Sequence, residues 1–469
     1  MAMVEEQPER QGIMGALKKT LYIEEVPSYG NTIFYSLGFL ALTCLALLIA
    51  SGTVMVFFGS GWWLTNHWGI FFRSVHLWAA QAFFLIIILH VLVVFSTSGF
   101  KAPRRFIWVL GASTFILAFM EAEFGYGLRG DFSSQYRALQ AADFWNGAYL
   151  GRFVNALNYA QVYGLHIIDI PLAIFALVFI HYLLVKARGI AKPYRPDFPY
   201  TMEKANHVKL FLRGGVFAAL IIVLAIVFPS PFLEPASIRS VAEDNSSLIA
   251  QTLMQEFART SDTATYKDSI DPYAYDTRTV YVTVPYEDYI ASTNGTDELA
   301  VFAAEGSAAQ QAAIDQATAY FADGGATNAV TSSDPLIPAV NSLVAMARGG
   351  LYGSTVDGEN QAIRPTYSLR FLADTGVLDD EASQLHITTD QWGMLREENG
   401  MVPPGAWWLA PLGILDHTVL ANDVNGDRDG AMILGLLAML FILFPYIPYL
   451  NRLPEKLHIA ELIWGSKKG

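Results

Sequence analysis

Sulfur and charge are both scarce in this chain. Of 469 residues a single one is cysteine, Cys44, which excludes a disulfide framework and any CxxCH motif. Only 16% of residues are Asp, Glu, Lys or Arg while 53% are hydrophobic, and the mean hydropathy is +0.33. That balance excludes an ordinary soluble globular protein and predicts membrane spans. The first 30 residues are polar and carry no apolar core, so no cleavable signal peptide is expected. Basic residues are depleted between 231 and 430, where 29 acidic side chains face 9 basic ones. This local balance of −20 carries the whole net charge of −13 and leaves about +7 elsewhere. A solvated acidic surface and an electrostatic landing face for a basic partner protein both account for it; no nucleic-acid partner is expected.

Apolar runs at about 32–58, 74–97, 105–124, 164–186, 212–230 and 431–450 each approach the length that crosses a hydrocarbon core. An even number of spans puts both termini on one side. Lys18 and Lys19, then Lys101, Arg104 and Arg105, then Lys186 to Arg213, and finally Arg452, Lys456, Lys467 and Lys468 all fall on that side, which is therefore cytoplasmic.

Two of the apolar runs carry two histidines each: His76 and His90, then His166 and His181. Steps of 14 and 15 positions bring a helical side chain back to within roughly −40° and +60° of its starting face, about 21–23 Å further along. Each helix thus offers two imidazoles on one face, near opposite surfaces of a core about 30 Å thick. Ionisable residues in a span are costly and point to function. Isolated hydrogen bonds would explain any one of them but do not require the repeat; two facing helices gripping two haems, each by two axial histidines, do. Gly38 and Gly52 in the first span, and Gly111 and Gly125 in the third, share a 14-residue step. Ordinary small-residue helix packing accounts for glycines in spans. Their shared period with the histidines predicts room for two flat macrocycles against the flanking helices.

The stretches VPSYGNTIFYSLGFLALTCLALLIASG (26–52), WGIFFRSVHLWAA (68–80), ILHV (88–91), SGFKAPRRFIWVLG (98–111), FGYGL (124–128) and YGLHIIDIPLAIFALVFIHYLLVKARGI (163–190) together resemble cytochrome b of the quinol-oxidising bc and b/f complexes. The longer step on the second histidine helix resembles the plastid and cyanobacterial b/f branch. The resemblance covers about 25–235 and implies two non-covalent, bis-histidine haem b groups. His76 and His166 would hold the outer haem, and His90 and His181 the inner one. It implies that Arg73 meets an outer-haem propionate, a snorkelling interfacial arginine being the alternative. Lys101 and Arg104 would pair with inner-haem propionates, or serve positive-inside topology alone. The family also implies quinone as substrate, a Rieske iron–sulfur protein and a cytochrome c or similar carrier as partners, and a dimer of multi-subunit complexes.

The chain departs from the family in several places. Ser36 stands where the b/f branch has the cysteine that holds an additional haem, so no third haem is predicted. Arg129, Gly130, Asp131 and Phe132 replace a Pro-Trp-x-Gln run. PPGAWWLAP (403–411) resembles the quinol-site signature PEWYxxP, with Ala406 at the position of the proton-accepting glutamate. A proton acceptor must be a carboxylate or imidazole within hydrogen-bond reach, so Asp131, Asp169 and His417 are the candidates. An interfacial aromatic belt explains Trp407 and Trp408 equally well. His207, Lys209 and Arg213 are candidate proton carriers at the inner haem, or members of a solvated loop. FLEPAS (232–237) looks like the turn after the fifth helix in b/f subunit IV.

Residues 238–400 form an insert that the family lacks. YDTRTVYVTVPYEDYI (275–290) alternates like a strand, and EGSAAQQAAIDQATAYFA and SLVAMARGG read as short helices. DVNGDRDG (423–430) has calcium-loop carboxylates without the final glutamate, and a polar turn is expected there.

The expected architecture is all-α transmembrane: a four-helix dihaem bundle, two further spans and a mixed α/β extracytoplasmic insert. The segments are 1–31 cytoplasmic, 32–210 dihaem domain, 211–237 fifth helix, 238–402 insert, and 403–469 interfacial segment, sixth helix and cytoplasmic tail. The expected role is a redox-active electron-transfer subunit of a quinol–cytochrome c reductase-like complex. Two rivals are a dihaem anchor of another respiratory oxidoreductase and a haem-free scaffold or receptor.

Overall fold

The computed structural model describes residues 22–192, 199–265, 275–293, 295–324, 334–358, 367–388, 405–423 and 425–458. Lys18, Lys19, Arg195 to Phe198 of RPDFPY, Pro403, Pro404, Lys467 and Lys468 lie outside them. Among the described residues six helices are long and apolar enough to cross a membrane, at the places hydropathy predicts. We label them with one buried helix between the third and fourth spans: α1 Leu37–Phe58, α2 His67–Ser96, α3 Arg105–Gly127, α4 Phe132–Gly147, α5 Tyr159–Arg188, α6 His207–Val227. The last span, α7, follows the insert at Gly426–Leu443.

The chain divides into two compact units, one of residues 1–120, 169–230 and 437–469 and the other of 121–168 and 231–436. In the first unit α2 packs on α1 and α6, around Cys44, Val75, Trp78, Ala79, Ile221 and Ala225. Between lipid-embedded helices, close packing and hydrogen bonds must hold the contact because lipid is as apolar as leucine. Gly214 on α6 supplies the first: a Cβ there would lie 2.8 Å from the Phe39 ring. Trp78 supplies the second, its indole N–H donating to the Phe228 carbonyl at 2.8 Å. The Trp108 indole likewise donates to the Phe441 carbonyl at 2.9 Å, fastening α7 beside a cluster of Phe100, Trp108, Phe441 and Phe444. Val208, Phe211, Leu212, Val216, Val223 and Ile226 leave one face of α6 apolar and exposed, as a lipid-facing helix requires. A two-stranded antiparallel ribbon, β1 Glu25–Pro27 with β2 Met202–Lys204, ties the chain before α1 to the loop before α6. Within this unit the described residues of α2 and of Ile170–Arg188 make no extensive backbone contact.

Helix α5 is not uniform. Residues Leu165–Asp169 form a π turn, which takes one more residue than an α turn and recurs at functional positions. The turn contains His166 and is the physical counterpart of the one-residue longer step to His181.

The second unit holds α4 and the insert. α4 begins with a capping box in which Asp131 accepts from the Ser134 amide at 3.0 Å and the Ser134 hydroxyl accepts from the Asp131 amide at 3.0 Å. The insert corrects the expectation of a mixed α/β domain, because its described residues are helical throughout. The segment 275–290, expected as a strand, is a π turn Thr279–Thr283 leading into the α-helix Val284–Thr293. Its buried residues are Tyr281, Val282, Pro285 and Tyr286, a helical spacing; packing against Leu336–Arg348 overrides the β-branched composition. The two predicted helices are found, at Ser307–Ala322 and Leu336–Arg348.

Candidate haem-binding site

Each of the four histidines lies against one of the four periodic glycines. A Cβ would fall 3.7 Å from His90 Cε1 at Gly38, 3.3 Å from His76 Cε1 at Gly52, 3.2 Å from His181 Cε1 at Gly111 and 2.7 Å from His166 Cε1 at Gly125. The expectation that these glycines make room for macrocycles therefore takes a more local form: each lets the edge of one imidazole approach the flanking helix.

Three imidazoles are also oriented through Nδ1. His76 Nδ1 lies 3.0 Å from Ser51 Oγ. His181 Nδ1 lies 3.1 Å from the Ile107 carbonyl, and His166 Nδ1 is 3.0 Å from the Glu121 carbonyl and 3.1 Å from Glu121 Oε1. An acceptor at Nδ1 fixes the tautomer and assigns Nε2 as the metal-binding nitrogen, the usual outer-sphere arrangement of a ligating histidine. His90 sits within electrostatic reach of His181. Two neighbouring imidazoles such as His90 and His181 fit the donor set of a six-coordinate haem iron. Ser51 and Glu121 were not singled out from the sequence. The signal for Glu121 was present, as an acid inside an apolar span.

Other expected site residues are occupied differently. Arg73 donates from Nη2 to the Ser230 carbonyl at 2.8 Å, and Ser230 is further held through its amide to Ser74 Oγ at 2.8 Å. Arg104 caps the end of α5, donating to the carbonyls of Arg188, Gly189 and Ile190. Lys101 forms an ion pair with Glu455. The last two cations are thus each held by protein partners. His207 donates from Nε2 to the Ile23 carbonyl, 2.9 Å away, and stacks on Tyr22. Arg213 donates to the carbonyls of Asn31 and Thr32 and to Ser36 Oγ.

Of the candidate proton acceptors, Asp131 is fully buried, caps α4 and pairs with Arg129 at 2.8 Å. Its carboxylate thus serves as a helix cap and as the ion-pair partner of Arg129. Asp169 is exposed on α5. His417 Nδ1 lies 2.7 Å from the Gly413 carbonyl of its own helix, Ala410–His417. Burial pushes the neighbouring Asp416 carboxyl up to about 6, a residue the sequence reading did not single out. Ala406 and Trp408 are buried, and Trp408 meets Tyr126 edge-on at 5.8 Å, so the second tryptophan belongs to a packed interior and not to an interfacial belt. A cavity of about 400 Å³ lies in the same unit, lined among others by Gly127, Ser134, Gln135, Leu157, Arg239 and Leu369.

The family described as "Cytochrome b(N-terminal)/b6/petB" matches residues 81–238. Cytochrome b6 of Heliobacterium modesticaldum is 30% identical over 207 residues, covering 39% of this chain and 97% of that protein. Cytochrome b6 of Synechocystis is 31% identical over 203 residues, covering 38% and 90%. The cytochrome b subunit of the cytochrome bc1 complex of Mycobacterium leprae is 32% identical over 174 residues, covering 34% of this chain and 32% of that protein. The matched region ends where the insert begins. With its six apolar helices and relatives of almost full length, the chain belongs to the cytochrome b/b6 family and is an integral membrane protein of that family.

Proposed function

We propose that the chain is the dihaem b-type cytochrome subunit of a membrane quinol:acceptor oxidoreductase, carrying electrons between the two membrane surfaces. The observation that carries this reading is the fourfold pairing of a glycine with an imidazole edge, three of the imidazoles being oriented through Nδ1. His76 and His166 hold the outer haem, and His90 and His181 the inner one. Haem, when bound, supplies one-electron exchange at its iron. Ser51, Glu121 and Ile107 keep the imidazoles in the ligating tautomer, and Gly38, Gly52, Gly111 and Gly125 admit them. The quinol-derived electrons pass to an iron–sulfur Rieske protein and a cytochrome c or similar carrier, in a dimer of complexes. Both termini are cytoplasmic and the insert is extracytoplasmic. Addition of quinol to the purified complex should reduce its haems, giving a sharp α band in the difference spectrum. A band that quinol never elicits, while dithionite does, would refute the quinol link.

A second reading has a specific observation in its favour. Ala406 is buried where the resemblance puts a glutamate, and Asp131 is committed to Arg129. A dihaem anchor with a single inner quinone site needs neither as a proton acceptor. Turnover blocked by an outer-site inhibitor of the stigmatellin type supports the first reading; turnover untouched by it supports the second.

A further inference from the structure

Two carboxyl groups of the insert meet in its interior, on helices far apart in sequence. Glu256 lies in the last turn of the helix Ser246–Ala258 and is fully buried; Asp374 closes the helix Tyr367–Asp374. One oxygen of each is satisfied: Glu256 Oε2 accepts from the Ser261 hydroxyl at 2.7 Å, and Asp374 Oδ1 from the Thr263 amide at 3.0 Å. The other two, Glu256 Oε1 and Asp374 Oδ2, are buried without a donor among the described residues, although the two side chains lie within hydrogen-bonding reach of each other. Two acceptors cannot satisfy one another. A single proton between them supplies the missing donor and one charge-assisted O–H···O bond, and it avoids placing two anions side by side away from water.

The helix that ends in Asp374 also forms part of a wall. Its Ser368, Leu369 and Leu372 line the cavity of about 400 Å³. At eight residues the helix is too short to persist without its packing. We infer that Glu256 and Asp374 hold one proton between them and act as a clasp on this cavity wall, closed while the proton is present and opened by its loss. Passage of the proton to solvent leaves two carboxylates facing each other in a low-dielectric interior, and their repulsion is relieved by moving the short helix away.

The groups around the pair leave it to titrate first. Tyr275, Tyr281 and Tyr352 lie within electrostatic reach of Glu256, and burial pushes all three phenols upward. Asp262 faces Asp374, with Asp379 beside it. Arg370 lies within reach of Tyr275, Arg278 donates to the Phe257 carbonyl, and Arg259 holds Asp276 below the usual carboxylate range. Burial and the Asp374 carboxyl push Glu256 up, so the proton resides there.

Amide hydrogen exchange of the full-length protein in detergent, corrected for the intrinsic rate at each pH, tests the clasp. Release of one proton on opening predicts that protection over Tyr367–Asp374 falls about tenfold per pH unit, or about 100-fold between about pH 6 and pH 8. Glu256→Gln keeps a donor toward Asp374 and should remove the slope. Asp374→Asn should do the same, and it reads the clasp from its other side if the first variant fails to fold. Wild-type protection without a slope, or the same slope in a folded Gln or Asn variant, overturns the inference. Equal protection of Tyr367–Asp374 and Leu336–Arg348 at every pH does so too, since the insert would then open only as one piece.

Discussion

The four glycines differ in how closely their histidines approach, and that difference makes an ordered prediction for alanine substitution. Carbon atoms in comfortable contact sit about 3.5–4.0 Å apart. The Cβ of Gly125→Ala would stand 2.7 Å from His166 Cε1, so the imidazole or the helix must retreat by about 0.8 Å. That retreat also stretches the Nδ1 contacts to Glu121, now 3.0 and 3.1 Å. At Gly111 and Gly52, with 3.2 and 3.3 Å, the retreat is about 0.2–0.3 Å. At Gly38, with 3.7 Å, none is needed. Overpacking costs about 1–3 kcal/mol, which for Gly125→Ala means about a 5- to 150-fold loss of outer-haem affinity. Against this, alanine in a helix interior gains up to about 1 kcal/mol over glycine. Gly111→Ala and Gly52→Ala should therefore be close to neutral, and Gly38→Ala neutral or slightly stabilising. Haem per chain in the purified protein, from the pyridine haemochrome, and the α-band difference spectrum read this order directly. Retention of full haem by Gly125→Ala while Gly38→Ala loses it would refute the reasoning, as would equal loss at all four positions.

Three further outcomes are expected. Ser51→Ala removes the group 3.0 Å from His76 Nδ1 and should weaken haem retention at His76 by about 10-fold or more; haem transfer to apomyoglobin at an unchanged rate would contradict it. In the insert, burial and the neighbouring Asp374 carboxyl push Glu256 well above its ordinary 4.5, and Glu256 is fully buried. The native state thus keeps a proton that the unfolded chain has already released above about pH 4.5. Insert stability should then be greatest in acid and fall as pH rises toward the folded value; Glu256→Gln should flatten this dependence and raise stability at pH 8, read by limited proteolysis of the full-length protein. Trp108→Phe keeps the ring packing but orphans the Phe441 carbonyl, now 2.9 Å from the indole nitrogen, and should cost about 1–3 kcal/mol, seen as a lower unfolding temperature in detergent.

Much of this arrangement was legible in the sequence because it is periodic. Apolar length marked the six spans, and the shared step of glycines and histidines marked those residues as one set, since both follow from helical geometry alone. What the sequence did not reveal depends on contacts between distant residues. Ser51 and the Ile107 carbonyl are recognisable as histidine partners only once the helices are packed, and Glu121 had no period to distinguish it. The alternation of Val280, Val282 and Val284 suggested a strand because β-branched residues carry that preference; burial of Tyr281 against Phe371 and packing of Val284–Thr293 on Leu336–Arg348 decided for a helix. Asp131 read as a loop acid near the quinol region, yet the serine three positions on makes it a helix cap.

The most direct test of the account is the number of haems held by the wild type and by His90→Ala, counted by pyridine haemochrome with potentiometric resolution of the α band. Two haems per wild-type chain and one in the variant are the predicted result. A wild-type chain that holds none, or a His90→Ala variant that keeps both, would contradict it.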